Sequence, residues 1–186
     1  RILKILANKD ALFNADGNTN ITATENVLGQ TIPFAGEYGI STNPESFAHE
    51  AYRAYFSDKI RGVILRLSRD GLTPISDIGM RDWFRDNLKT SRRVIGSYDD
   101  RNNEYNIKLD MTPSVFVNSM PNGPEMHGSK VVTFNEQSGG WVSFKSFIQM
   151  QIGISMGNDY YTFYNGSSWR HYDESVNRNT FYNDES

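Results

Sequence analysis

The chain has 186 residues, carries a formal net charge of −3 and contains no cysteine. The charge, spread without any basic block, argues against a nucleic-acid partner, and no stretch approaches the ~18 apolar residues of a membrane span. The missing cysteines exclude disulfides, thiolate catalysis and cysteine metal sites. Aromatic residues make up 13% of the chain and glycine occurs 15 times, a profile that predicts a protein of strands and turns.

We divide the chain into three parts within residues 1–186, as one β-rich domain or a fragment of a larger one. Residues 1–50 are predicted to be an irregular lead-in, in which 1–12 form a strand, 21–38 are irregular and a short helix starts at Asn43 and Pro44. Residues 51–93 are predicted to be a three-stranded unit with a helix over 77–88, and residues 94–186 further hairpins. Arg1 lies inside an apolar segment and the last four residues are polar. We therefore expect a piece of a longer polypeptide.

The central stretch, YFSDKIRGVILRLSRDGLTPIS, spans residues 55–76. Strands are predicted at 54–56, 63–67 and 72–76. Asp58 and Gly62 bracket the first turn, where a side-chain acceptor and a positive-φ residue are needed, and Asp70-Gly71 is a strong hairpin signal. Three strands on tight turns cannot bury a face alone, so this unit is expected to pack against others.

The helix predicted at 77–88 has Met80, Trp83, Phe84 and Leu88 on one face. This spacing is typical of an amphipathic helix, with Asp77 as its expected N-cap. Tryptophan on such a face belongs more often to a core than to a binding site.

From residue 94 onward, alternating strands and polar turns resume. The turn-opening residues Asp58, Asp99, Asn135 and Asn165 lie about 30 to 40 residues apart, and Asn165-Gly166 is a further hairpin signal. Such a period favours the repeated small sheets of a β-propeller, with a two-sheet β-sandwich as the alternative. The predicted fold is mainly β with short helical insertions.

The case for an enzyme is weak. His49, His127 and His171 have no metal-ligand spacing, and no nucleophile elbow, phosphate loop or dinucleotide fingerprint occurs. Asp99, Asp100 and Glu104 form the densest acidic cluster, but acids in a hairpin turn are usually solvated. We therefore predict no catalytic residue, no metal site and no cofactor.

Two other groups of residues are candidate binding sites. Asp16, Asn18 and Asn20 have the first half of a calcium-loop pattern, but Ile21 and Val27 stand where its glycine and final acid belong. An Asx-turn loop is the favoured interpretation. Aromatic residues near the end of the chain could form a sugar-binding platform, consisting of Tyr160, Tyr161, Trp169 and Tyr172.

Several segments resemble very large virion structural proteins of tailed bacteriophages, including nozzle- or muzzle-type tail proteins of short-tailed phages. The most specific strings are SDKIRG at 57–62, LSRDGLTPIS at 67–76 and GWVSFKSF at 140–147. Further matching strings are LANKDALFNADGNTN, YGISTNPESFA, IGSYDDRNNEYNIKL and NRNTFYN. Residues 114–128, SVFVNSMPNGPEMHG, match nothing in this group.

The resemblance implies a non-enzymatic component of a phage tail or baseplate. Its expected partners are other copies of the same chain and adjoining tail proteins, and its expected location is the virion after assembly in the host cytoplasm. The long loop at 111–129 is then expected to make contacts between subunits. A receptor- or glycan-binding module of the tail is the alternative.

Overall fold

The computed structural model describes residues 1–13, 19–111, 129–145, 150–175, 180–181 and 184–185. The chain forms two compact units, Arg1–Gly39 and Ile40–Ser186. In the described residues the fold is mainly β with one short α-helix, as the sequence predicts.

The first unit is a long antiparallel hairpin of β1 (Leu3–Phe13) and β2 (Thr19–Pro33). The strand predicted at 1–12 is confirmed by β1, whereas the irregular segment predicted at 21–38 is wrong as far as Pro33, where β2 ends. The pairing shifts register between Ile5 and Ala7 and again between Ala7 and Lys9. Extra residues of β2 are absorbed at those shifts, so the strand lacks the strict alternation by which a strand is recognised in sequence. The calcium-like loop falls at 14–18, outside the described residues, and the side chain of Asn20 is likewise not described.

The second unit begins with an antiparallel sheet of four strands, called here the first sheet. Its strands, in spatial order, are β3 (Ala48–His49), β4 (Ala54–Asp58), β5 (Val63–Ser68) and β6 (Gly71–Pro74). The sheet contains the three predicted strands and one additional edge strand, β3. The helix expected from Asn43 is only a 3₁₀ turn, Pro44–Ser46, because Phe47 is already extended and leads into β3.

Helix α1 spans Arg81–Thr90, and the predicted start at Asp77 is wrong. Asp77 ends a separate 3₁₀ turn, and Gly79 then adopts a φ of 74°. This left-handed residue breaks the helical path, so α1 starts afresh after Met80. Its apolar face agrees with the sequence pattern, since Phe84 and Leu88 are fully buried.

Two further antiparallel sheets follow in chain order. The second sheet consists of β7 (Ser91–Asp99), β8 (Glu104–Met111), β9 (Lys130–Asn135) and β10 (Gly140–Lys145). The third sheet consists of β11 (Ile152–Met156), β12 (Asp159–Tyr164) and β13 (Ser167–Arg170). A short hairpin of β14 (Thr180–Phe181) and β15 (Asp184–Glu185) comes last. Residues 112–128 of the long loop lie outside the described residues.

The apolar core lies between the first and second sheets, with α1 packed against it. The Tyr55 ring of β4 stacks on Tyr98 and Tyr105 of the second sheet, with centroids 5.5 and 4.8 Å away. Further residues of this core with no exposed surface come from both sheets, from α1 and from the turn before α1: Ile64, Ile75, Phe84, Leu88, Val94, Ile107 and Leu109. Aromatic and branched side chains from neighbouring β-layers therefore hold the two sheets together.

The second sheet is covered on both faces. In β8, Tyr105, Ile107 and Leu109 point into the apolar core. The alternate residues, Glu104, Asn106 and Lys108, are also buried, and Lys108 bonds to the segment leading into the third sheet. Three successive antiparallel meanders therefore stack with the second sheet in the middle.

The sequence repeat marks hairpins and does not mark separate sheets. The hairpin turned at Asp58 belongs to the first sheet, and the one turned at Asn165 belongs to the third. The two turned at Asp99 and Asn135 lie in the same sheet, joined by the pairing of β8 with β9. The four repeated turns therefore do not correspond to four separate sheets, because a local turn pattern does not encode which strands pair across a long loop.

Burial of the core tyrosines should be measurable in the pH at which they ionise. Burial raises the pKa of Tyr55 and Tyr105 far above the ordinary value, and that of Tyr98 to about 12. The unfolded chain releases these phenolic protons near pH 10, so stability should fall as the pH rises above about 10. A spectrophotometric titration should show these tyrosines ionising only together with loss of the native circular dichroism. Ionisation of all ten tyrosines as one normal group, with the fold intact, would contradict the packing.

Candidate assembly surface and polar interface

Three hairpins of the second unit share one turn geometry. Asp58, Asp99 and Asn135 each end a strand, and the next strand begins five residues later. In each turn the side-chain Oδ1 accepts a hydrogen bond from the backbone N–H three residues on, at 3.1, 3.3 and 2.9 Å respectively. The residue four positions on has positive φ: 72° at Gly62, 53° at Asn103 and 64° at Gly139. Turn-opening acids and amides thus fix the backbone locally.

The remaining predicted turn residues serve tighter turns. Gly71 has a φ of 110° and begins β6 directly after Asp70, which is exposed. Asn165 and Gly166 have φ values of 47° and 79°, as a two-residue hairpin turn with both central residues left-handed requires. The backbone amide of Asn165 also donates to Gln151 Oε1 at 3.2 Å.

Asp99→Ala should destabilise the protein much more than Asp70→Ala. Asp99 is fully buried, accepts from two backbone amides and also from Asn102 Nδ2 at 2.9 Å. Its removal leaves three partly buried donors without their acceptor, which should cost about 2 kcal/mol, whereas Asp70→Ala should stay within about 0.5 kcal/mol. Urea denaturation of both variants measures this difference. Equal losses would show that the turn bonds do not contribute.

The acidic cluster does not converge into a catalytic pair. Asp99 is committed to the turn amides, Glu104 pairs with Lys145 at 3.0 Å, and Asp100 is exposed. Within the described ranges, no group of three or more His, Asp or Glu side chains could hold a metal ion. His49 is exposed, and His127 lies outside the described residues. No described helix has the length and apolar character needed to cross a membrane.

The four aromatic residues considered for sugar binding lie on different surfaces. Tyr160 is fully buried, and its hydroxyl is 2.6 Å from Ser97 Oγ of the second sheet. Strand register places Trp169 on the same face of the third sheet as Tyr160 and places Tyr161 on the opposite face. Tyr172 follows β13 and is 38% exposed. The structure therefore does not bring these rings together as one platform.

The contact between the second and third sheets contains many polar groups. Besides the Tyr160–Ser97 bond, Lys108 Nζ donates to the Met150 carbonyl at 3.0 Å, and Ser155 Oγ donates to the Tyr98 carbonyl at 3.1 Å. Other polar side chains buried in this region are Asp99, Glu104, Asn106, Thr133 and Thr162. Each of these groups is removed from water, so hydrogen bonding determines how well the two sheets fit.

His171 lies within this polar contact. Its Nε2 is 2.7 Å from Thr162 Oγ1, and its ring centroid is 5.4 Å from that of Tyr160. Burial lowers the pKa of His171 to about 4, although the negative charge of Asp99 acts in the opposite direction. The imidazole is therefore neutral at physiological pH.

The outer face of the third sheet has an apolar strip on β11 and β12 that is open to solvent. Ile152, Ile154 and Met156 of β11 are 60%, 45% and 47% exposed. Strand pairing puts Phe163 opposite Ile152 and Tyr161 opposite Ile154 on this face. We call these five residues the outer apolar face. The β13 side of this face is polar, because Ser168 and Arg170 pair with Phe163 and Tyr161. An exposed apolar strip of this kind is typical of a surface that another layer covers.

The outer apolar face was not singled out in the sequence, although its signal was present. Residues 152–156, IGISM, alternate apolar with small residues, and YYTFY at 160–164 places its aromatic rings on both faces. Alternation identifies a strand with an apolar face, but it does not reveal whether that face is covered. No protein-family model and no curated protein matches the chain.

Proposed function

We propose that this chain is a structural, non-enzymatic component of a tailed-phage virion, placed in the tail, baseplate or nozzle. In this proposal, its stacked sheets are blades of a β-propeller-like assembly built with sibling subunits and adjoining tail proteins. The observation that carries the proposal is the outer apolar face. A further layer stacked in the same direction as the three sheets would lie on this face, and its β11 residues are exposed in the isolated chain. The resemblance of the strings at 57–76 and 140–147 to phage virion proteins supplies the class of assembly.

The chemistry of the described residues supports a role in shape and contact. The turn acids accept hydrogen bonds from their own backbones, and Glu104 is neutralised by Lys145. Side chains used in this way hold the fold and have no spare protonation chemistry for a substrate. The work of the protein is then done by its surfaces.

Cryo-electron microscopy of the intact particle tests the proposal. We expect the chain in a symmetric ring of the tail, with the outer apolar face covered by a neighbouring layer. Ile154→Asp should leave the isolated chain folded and prevent its incorporation, whereas Asn158→Asp, in an exposed turn of the same sheet, should incorporate normally. Absence of the chain from purified virions would overturn the proposal.

A receptor- or glycan-binding module remains the alternative proposal, with less support because its aromatic residues lie on separate surfaces. Glycan-array binding that is lost in Trp169→Ala, and kept in Tyr161→Ala, would favour it over a purely structural role.

A further inference from the structure

The two contacts made by the second sheet differ in chemistry. Towards the first sheet, the buried side chains form one cluster of aromatic and branched residues, and no residue of the third sheet belongs to that cluster. Towards the third sheet, the contact contains many hydroxyl, amide and charged groups beside four buried apolar side chains, Ile95, Val131, Met150 and Tyr160. Separating an apolar contact exposes apolar surface to water, whereas separated polar groups regain hydrogen bonds with water. The second contact has fewer apolar side chains to expose, so it should open at a lower free energy than the first.

The contact with the third sheet also depends on close fit at one point. A Cβ placed on Gly153 of β11 would lie 2.7 Å from Ser97 Oγ and 2.5 Å from Tyr160 Oη. The backbone of β11 thus lies directly against β7, and the Tyr160–Ser97 bond forms beside it. Hydrogen bonds at such a contact form together or not at all, because their partners are carried by one rigid sheet. The third sheet is expected to move as a single body.

We propose that the third sheet, β11 to β13, opens from the second sheet as a unit while the apolar core between the first and second sheets stays intact, and that acid promotes this opening through His171. The inference stands apart from the proposed virion role, because it uses only contacts inside the second unit. In this proposal the fraction of molecules with the third sheet open increases as the pH falls.

The coupling to acid follows from the surroundings of His171. The titratable and charged groups around it come from both sheets and from the segment after β13: Asp99 of β7, Glu104 of β8, Lys145 of β10, Tyr160 of β12, and Tyr172. Glu104 and Lys145 pair with each other, which leaves Asp99 as the neighbouring acid, and Asp99 already accepts turn hydrogen bonds. Burial therefore outweighs the attraction of Asp99, and the docked sheet disfavours the imidazolium.

The sign of the pH effect is fixed by proton binding. Once the sheet opens, His171 regains a pKa near 6.5, whereas docked it has a pKa of about 4. Between these values the open state binds the extra proton, so its population should rise by up to about tenfold for each pH unit of acidification. Above pH 6.5 His171 is neutral in both the docked and the open state, so its titration should no longer change the population of the open state.

Hydrogen–deuterium exchange of the whole chain tests the proposal. At pH 7, amides of β11 to β13 should exchange faster than those of β7 to β9, after correction for intrinsic rates. From pH 6.5 to pH 5 the difference should widen, while β7 to β9 stay protected. Equal protection of both sheets at every pH, with exchange only through global unfolding, would overturn the proposal.

Two variants separate the opening from its acid dependence. Tyr160→Phe keeps the ring and removes the bond to Ser97, so it should speed exchange of the third sheet about fivefold at pH 7 with β7 to β9 unchanged. His171→Gln should remove the pH dependence, whereas His49→Gln, at an exposed position, should preserve it. A pH slope that survives in His171→Gln would overturn the assigned role of this residue.

Discussion

Gly96→Ala is expected to cost about 3 kcal/mol or more of unfolding free energy, a value at the upper end for overpacking. A Cβ at this position in β7 would lie 2.0 Å from the Ser46 carbonyl oxygen and 2.9 Å from the Tyr105 hydroxyl. Neither neighbour can yield easily. The Ser46 carbonyl accepts a 2.7 Å hydrogen bond from Tyr105, and Ser46 Oγ accepts one from the Ser57 amide at 3.0 Å.

Gly140→Ala is the matched control for this prediction. Gly140 also lies in the second sheet, but no atom lies within 4 Å of a Cβ added there, and its backbone φ is not positive. The substitution should change stability by less than about 1 kcal/mol. Thermal and urea denaturation of the two variants should thus differ widely. Similar, small effects would mean that the 3₁₀ turn at 44–46 does not pack closely on β7.

Glu136→Ala is expected to destabilise the protein by about 3 kcal/mol, as removal of one partner from a buried ion pair usually does. Its carboxylate accepts from the Tyr55 hydroxyl at 2.6 Å and from Arg66 at 3.0 Å, and it lies 3.3 Å from Arg53 Nε. The Glu136 side chain is only 7% exposed. It links the β9–β10 turn of the second sheet to β4 and β5 of the first, so its loss leaves an inter-sheet contact unpaired.

Asp82→Ala provides the comparison for Glu136. Asp82 pairs with Arg85 at 2.7 Å, closer than either arginine at Glu136, but its side chain is 79% exposed. A pair in open solvent contributes little, so this change should stay within about 0.5 kcal/mol. Denaturation at low and high salt distinguishes the two sites, because burial protects the Glu136 contacts from screening. A similar cost at both positions would contradict the structural role of Glu136.

The strands of the second unit were largely predictable, because their turns carry their own chemistry. Asp58 with Gly62, and Asn165 with Gly166, define hairpins from a few neighbouring residues alone. In the N-terminal hairpin only the first strand is predicted from the sequence, because the register shifts of β2 hide the alternation of the second. The early start predicted for α1 has a similar cause, since the left-handed Gly79 separates Asp77 from the helix.

The polar face of the second sheet shows where sequence pattern stops being informative. Residues 104–109, EYNIKL, alternate polar with apolar, and such a strand normally has one face in the core and one in water. The structure buries both faces, with Asn106 at 0% and Lys108 at 4% exposure. Asn106 accepts a hydrogen bond from Thr133 of the same sheet, whereas Lys108 donates to the Met150 carbonyl, 42 residues away and just before the third sheet. Local alternation contains no information about so distant a layer.

The amino-acid sequence by itself determined the mainly β character, the positions of the hairpins and the apolar face of α1. Each of these depends on residues within a few positions of one another, through turn geometry and side-chain periodicity. Only the tertiary structure decided that two of the repeated hairpins share one sheet, that the sheets stack with the second in the middle, and that one interface is apolar whereas the other contains many polar groups. Those features depend on pairing and packing between residues far apart in the chain, whose free energies no short pattern contains.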